Sequence, residues 1–262
     1  MHIQVLTIFP QLFSGFLESS LIGKAIENQL LQVKVRDLRD WTTDRHRTVD
    51  DEPYGGGGGM VMTAPPWIRA VGELTADSPA RRILLSPQGE TLTDRKVRDL
   101  SSEASIILMC GRYEGLDERV RETVVDDEIS VGDYVLSGGE VPAMVLIETL
   151  SRQIPGVIGL ADSVENDSFR QGLLDHPHYT RPATVAGLEV PEVLTSGNHA
   201  AITAWRTRAA IRATLSKRPD LLQATNLTAE QERIIEDVAQ ELAEAGDQGV
   251  ERGEDEPRKV LK

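Results

Sequence analysis

The segment Val131 to Ala143, VGDYVLSGGEVPA, constrains this chain more than any other, because it places three glycines, one proline and two acids in a loop that runs into an apolar helix. Glycine permits positive φ and close backbone approach, and Pro142 suits the first turn of the helix continuing through MVLIETLSRQI. Two further segments share the pattern of an apolar strand ending in a Gly-containing loop: LLSPQG at Leu84 to Gly89 and CGRYEG at Cys110 to Gly115. One such loop is an ordinary connection. Three strand ends converging on such loops describe a binding site.

Short segments rich in apolar and β-branched residues predict strands at His2 to Phe9, Leu31 to Val35, Arg82 to Leu85, Ile106 to Cys110 and Ile129 to Val131. Helical patterns fall between and after them, at Pro10 to Ser19, Leu21 to Gln29, Pro65 to Leu74, Asp94 to Glu103, Leu116 to Thr123 and Glu140 to Gln153. Such alternation is expected to give an α/β domain with a mainly parallel sheet, whose ligands sit beyond the carboxyl ends of the strands. The polar stretch LADSVENDSFRQG then lacks an apolar period and reads as a linker. Helices are expected again at Ala200 to Ser216 and at Leu227 to Ala245, with Thr228 as N-cap. The expected division is a domain over 1–160, a linker over 161–175, a helical domain over 176–246 and a disordered acidic tail over 247–262.

With 262 residues, 40% of them apolar, the chain can bury a sizeable core without covalent staples. Cys110 is the only cysteine, so an internal disulfide and a Cys-cluster zinc site are excluded, and a buried strand residue is expected there. MHIQVLTIFP lacks a basic leader region, and no apolar run approaches the roughly 20 residues that span a bilayer, so a cytoplasmic protein without membrane attachment is expected. The formal net charge of −14 argues against a nucleic-acid partner, but its distribution matters more. His199 to Arg218 contains no acid and carries Arg206, Arg208, Arg212, Lys217 and Arg218, while Ala229 to Pro257 is acidic throughout, opposed only by Arg233 and Arg252. The basic helix is either a phosphate-binding face or a solvated one.

Several chemistries find no support. No G-x-G-x-x-G follows a strand, and there is no Walker-type loop, H-E-x-x-H or G-x-S-x-G, so a classical dinucleotide fold, a P-loop NTPase, a zincin and a serine hydrolase are set aside. His176 and His178 sit two apart in a Pro-rich loop, where surface residues are more common than metal ligands.

Together with DRHRTVDDEPYGGGGGM (Asp44 to Met60), GLLDHPHYTRP (Gly172 to Pro182), IFPQLF near the N-terminus and SGNHAAI (Ser196 to Ile202), these segments closely resemble the bacterial tRNA (guanine-N1)-methyltransferases that act at position 37, the TrmD family of the SPOUT superfamily. The resemblance implies a deep trefoil knot, which periodicity could not predict, and a homodimer with its active site at the subunit interface. It implies S-adenosylmethionine as methyl donor, magnesium as an aid to catalysis and tRNA as partner.

By resemblance, the cofactor lies against Leu85, Ser86, Pro87 and Gly89, against Gly111, Tyr113 and Gly115, and against Val131, Gly132, Asp133, Tyr134, Val135, Leu136, Ser137, Gly138, Gly139 and Pro142. The family places Asp44, Arg45, His46, Arg47 and Asp50 along the RNA groove, although their loop also reads as a flexible glycine-rich surface segment. Glu114 is a candidate for substrate binding and for the electrostatic surroundings of a sulfonium. The family's catalytic base falls on Asp167 and its O6-side cation on Arg152; from the residues alone, Asp167 is one linker acid among Asp162, Glu165 and Asp175. Magnesium ligands are not legible. Two other readings stay open: a knotted ribose 2′-O-methyltransferase, and a tRNA-binding protein that keeps the fold without catalysis.

Overall fold

The computed structural model describes residues 1–159, 167–223 and 227–250. The chain divides into two compact units, Met1–Val164 and Glu165–Lys262.

The first unit is built on a five-stranded, all-parallel sheet of order β2-β1-β6-β5-β7. Its strands are β1 (His2–Thr7), β2 (Gln32–Asp37), β5 (Arg81–Thr91), β6 (Ser105–Cys110) and β7 (Asp127–Ser130), and β3 (Asp50–Asp51) pairs separately and antiparallel with β4 (Val61–Met62). The helices are α1 (Ser14–Leu17), α2 (Ser20–Glu27), α3 (Ala64–Thr75), α4 (Asp94–Ser101), α5 (Glu118–Val124) and α6 (Glu140–Ser151).

Alternation along the central strands separates two apolar layers. Ile106, Leu108 and Cys110 of β6 pack with Ile83, Leu85, Ala143, Leu146, Ile147 and Leu150 on one face. Ile107 and Met109 pack with Leu84, Trp67, Val71, Leu116 and Val120 on the other. Burial on both faces is why SIILMC reads as a continuous apolar run instead of an alternating one. Helix starts follow local chemistry: Thr93 Oγ1 accepts the Lys96 N–H at 3.2 Å and Asp117 Oδ1 accepts that of Arg119 at 3.0 Å.

The predicted single helix at Pro10 to Ser19 is instead a 3-10 turn, Pro10–Phe13, followed by the one-turn α1. Phe13 is drawn into the core, and Ser20, the first residue of α2, adopts φ 57° and separates that helix from α1. Strand β5 is also longer than the predicted Arg82 to Leu85. Leu85 and Glu90 both stand opposite Ile129 of β7, so Ser86 to Gly89 bulge out of the sheet before the strand resumes.

The second unit contains the hairpin β8 (Thr184–Val185) and β9 (Leu188–Glu189), then α7 (Glu192–Thr195), α8 (His199–Lys217), α9 (Asp220–Gln223) and α10 (Ala229–Val250). Leu173, Ile211 and Val238 form its small core, flanked by Leu215, Leu222, Ile234, Ile235 and Leu242. Thr228 Oγ1 accepts the Gln231 N–H at 3.2 Å, while Gln231 Oε1 accepts the Thr228 N–H at 2.9 Å, a reciprocal cap at the start of α10. That helix runs to Val250, beyond the end at Ala245 that the sequence pattern predicts; residues 251–262 of the expected tail lie outside the described residues. The expected linker lies partly there too. Its last residues are folded, with the Leu174 N–H donating to Thr214 Oγ1 at 2.9 Å.

Candidate active site

The bulge within β5 and the loops that leave β6 and β7 meet at a cavity of about 240 Å3 in the first unit. Their junction is organised by Arg112. Its backbone pairs with Gly138 in an isolated antiparallel bridge, and the Gly139 N–H donates to Gly111 O at 2.9 Å. The Arg112 guanidinium donates through Nη1 to Ser137 O at 3.2 Å, and its Nη2 lies 2.9 Å from Glu140 Oε2. It also stands over the Phe9 ring, 4.6 Å from the centroid.

Glu140 is 1% exposed, at the start of α6, and its other oxygen accepts the Thr7 hydroxyl at 2.7 Å. Thr7 in turn accepts the Phe9 N–H at 2.9 Å. Four chain segments are therefore tied together: the end of β1, the loop after β6, the SGG loop and the first turn of α6. A carboxylate at a helix N-terminus is favoured by the helix dipole, and here it is also met by a guanidinium and a hydroxyl. Gly138 and Gly139 are required by this closure. A Cβ on Gly138 would sit 2.5 Å from Arg112 Cδ and 2.6 Å from Glu140 Oε2, and one on Gly139 would sit 2.7 Å from Cys110 Cα.

Among the residues expected at the cofactor, Leu85, Ser86, Pro87, Gly111, Tyr113, Gly115, Val131, Gly132, Tyr134, Val135, Leu136, Ser137, Gly138, Gly139 and Pro142 line the cavity. Gly89 and Asp133 do not. Gly89 turns the β5 bulge back over β7, where a side chain would overlap the backbone of Glu128 and Ile129. The lining also includes Leu84, Gln88, Arg112, Leu116, Arg121, Ile129 and Ser130, which motif reading passed over. Arg121 reaches the site from α5 and is held by Glu118 at 3.0 Å and Glu128 at 3.1 Å. Cys110 is buried, and burial pushes its thiol well above the ordinary range, so it is not a nucleophile.

Glu114 lines the cavity and connects it to the glycine run. Its N–H donates to Met60 O at 3.0 Å, the Met62 N–H donates to Gly115 O at 2.9 Å, and Gly59 lies so close to Glu114 that a Cβ would sit 2.7 Å from its Cγ. Asp44 to Asp50 is an ordered turn instead of a featureless loop. Asp44 accepts the N–H of His46 at 3.1 Å and of Thr48 at 3.1 Å, together with the Thr48 hydroxyl at 2.9 Å, and these hydrogen bonds hold its carboxyl below the usual range. Arg47 adopts φ 55° and pairs with Asp40, Asp50 begins β3, and Arg45 and His46 are exposed.

Arg152 caps the C-terminus of α6, its N–H donating to Glu148 O at 3.4 Å. Asp167 belongs to the second unit, where its carbonyl accepts the Arg170 N–H at 3.3 Å. The neighbouring Ser168 Oγ accepts the Asp175 N–H at 2.9 Å. Two more linker acids, Asp162 and Glu165, lie outside the described residues.

No helix among the described residues is long and apolar enough to cross a membrane. Residues 1–224 match the family model described as tRNA (Guanine-1)-methyltransferase TrmD. A Brevibacillus brevis protein named tRNA (guanine-N(1)-)-methyltransferase is 48% identical over 241 residues, covering 92% of this chain and 99% of that relative. Proteins of the same name from Moorella thermoacetica and Pseudoalteromonas atlantica are 49% and 48% identical, covering 93% and 96% of this chain and 99% and 96% of their own lengths. The glycine-loop cavity closed by Arg112 and Glu140 thus stands in a chain that belongs to the tRNA (guanine-1)-methyltransferase TrmD family.

Proposed function

We propose that the protein transfers the methyl group of S-adenosylmethionine to N1 of guanosine 37 in the tRNA anticodon loop. The observation that carries this reading is the convergence of three glycine-containing loops on one cavity, in a chain of this family. The cavity suits the donor. Backbone groups of Gly111, of Val131 and Gly132 and of Tyr134 to Leu136 can meet an adenine and ribose, Leu85 and Pro142 supply apolar wall, and the Glu114 carboxylate supplies negative charge for a cationic sulfur.

When bound, the donor supplies an electrophilic methyl group. The chain's residues must make guanine a nucleophile, since N1 carries a proton and has no free lone pair. Asp167 accepts that proton as the N1–carbon bond forms and the sulfur–carbon bond breaks, and Arg152 donates to O6, where negative charge develops. Asp44, Arg45, His46, Arg47 and Asp50 meet the RNA beside the target base. An anticodon loop offers the unstacked bases that sequence-specific RNA recognition requires.

Magnesium is expected from the family, yet the one metal-capable group found among the described residues, Asp175 with His176 and His178, offers two imidazoles where magnesium prefers oxygen. The fold is read as a trefoil knot, with 176–246 as a helical tRNA-binding domain and the linker between it and the knot. The working unit is read as a cytoplasmic homodimer, supported by the apolar residues exposed along α6, Val141 at 55% and Val145 at 40%, beside the turn carrying Leu12 at 48%.

Incubation with labelled S-adenosylmethionine and unmodified tRNA, followed by digestion to nucleosides, tests the reading. N1-methylguanosine at position 37 is expected. A 2′-O-methylated nucleoside would transfer the site to ribose chemistry, and donor binding without any methylation would leave a binding protein.

A further inference from the structure

The second unit holds another cavity, lined by none of the residues assigned above to methyl transfer, with a volume of about 580 Å3. Its wall includes His176, His178, Tyr179 and Trp205 together with Arg181 and Arg206. The rings form one cluster. The His176 and His178 centroids are 4.5 Å apart, and Trp205 stands edge-on to His176 at 6.4 Å and to Tyr179 at 6.2 Å. Tyr179 remains 49% exposed, so its ring is available to a ligand.

The support beneath the rings is fixed. The Asp175 N–H donates to Ser168 Oγ at 2.9 Å, while the Asp175 carboxylate binds the His178 ring at 2.9 Å and accepts the His176 N–H at 2.6 Å. That carboxylate is thereby committed within the loop, although the Asp175, His176 and His178 ligand atoms lie within 4.8 Å of one another.

Charge separates this cavity from the other arginines of the basic segment. Arg208 pairs with Glu241, Arg212 with Glu241 at 3.3 Å and Arg218 with Asp220 at 2.6 Å. Among the described residues, neither Arg206 nor Arg181 has an acidic partner within ion-pairing distance. Aromatic rings beside unneutralised guanidinium groups match a single-stranded nucleotide, whose base stacks while its phosphate meets the cation. A phosphate stripe alone would have no use for the rings.

We propose that this cavity is a nucleobase subsite, which takes one unstacked base of the bound tRNA other than the methylated guanine. The base stacks within the Trp205 and Tyr179 cluster, and its flanking phosphate meets Arg206 and Arg181. The proposal rests on the tRNA reading above.

The test uses the full chain and unmodified tRNA, with filter binding at several salt concentrations and calorimetry for S-adenosylmethionine. Trp205→Ala should weaken tRNA binding by about tenfold, inside the roughly five- to 150-fold range for loss of one base–aromatic stack, with the salt slope unchanged. Trp205→Phe should restore most of the loss. Arg206→Gln should weaken binding and make the log–log slope shallower by about 0.7 to 0.9. Donor affinity should stay constant in all three.

Exposed Tyr179→Ala provides the same comparison should Trp205→Ala fail to fold. Unchanged tRNA affinity in a folded Trp205→Ala or Tyr179→Ala variant would overturn the proposal. So would tight zinc binding abolished by Asp175→Asn while the ring variants bind tRNA normally, since the cavity would then be a metal site. Methylation by the wild-type protein is read in parallel: tRNA binding without N1 methylation removes the proposed activity but leaves the subsite, whereas methylation with indifferent ring variants removes the subsite alone.

Discussion

Arg112 and Glu140 form a largely buried ion pair, Nη2 to Oε2 at 2.9 Å, across the junction of the loop after β6 and the first turn of α6. Glu140 is almost wholly buried, and its carboxylate meets Arg112 on one oxygen and the Thr7 hydroxyl on the other. A pair of this kind adds little net stability compared with an apolar replacement, but removing one partner strands the other. Its structural consequence is a fixed separation between the two loops that wall the cavity.

Arg112→Ala is expected to lower unfolding stability by about 3–5 kcal/mol, because Glu140 is left charged and buried. Urea unfolding measures the loss. In the folded fraction, S-adenosylmethionine affinity should also fall, since Ser137 loses its guanidinium donor. A variant with wild-type stability and affinity would show that the pair does not hold the loops.

Gly138→Ala should weaken donor binding without touching the donor. The added Cβ faces Arg112 and Glu140, so the guanidinium must shift before the SGG loop can close. Gly138→Val should abolish binding, its branched side chain needing still more room. Calorimetry on the folded variants decides. Unchanged affinity would mean that the loop tolerates displacement of Arg112.

Asp167→Asn should leave donor binding near wild type and lower methyl transfer by at least about a hundredfold, the scale for loss of a general base. Single-turnover transfer to unmodified tRNA provides the comparison. Near-normal turnover would move the base to another acid.

The basic helix divides into two classes of arginine. Arg208→Glu should mainly destabilise the second unit, because the new carboxylate faces Glu241 and Asp237. Arg206→Glu should mainly weaken tRNA binding. Thermal melting and filter binding should therefore rank the two variants in opposite orders, and a common order would refute the division.

Acid should weaken the β5–β7 edge. Hydrogen bonds from Arg81 to Asp127 and from Arg82 to Asp126 hold both carboxyls below the ordinary range, with Lys96 assisting at Asp127. A folded-state pKa below the unfolded value of about 3.9 gives stability that is present above that value and disappears as pH falls through the folded one. Wild-type stability should drop below about pH 4, and the drop should be smaller in Asp126→Asn. Equal acid sensitivity in both proteins would assign the loss to other groups.

Sequence alone determined the layered α/β character, since strand and helix periods are local properties of consecutive residues. Apolar SIILMC, the prolines opening helices and the caps at Thr93, Asp117 and Thr228 all act within a few positions. The long motifs also determined the family, and they marked most of the cavity wall. What they could not convey was why each residue stands there. Gly89 and Gly138 answer to residues far away in the chain, the first to the backbone of Glu128 and the second to the Arg112 side chain. Arg112 itself carries no motif signal beyond its place in GRYEG, because its partners Glu140, Ser137 and Phe9 become neighbours only after the sheet brings strand ends together. The basic helix was legible as charge, but which cations are neutralised depended on where Glu241 and Asp237 landed when α10 packed on α8. Tertiary structure decided those pairings because ion pairing and steric exclusion depend on distance in space, while sequence patterns report distance along the chain.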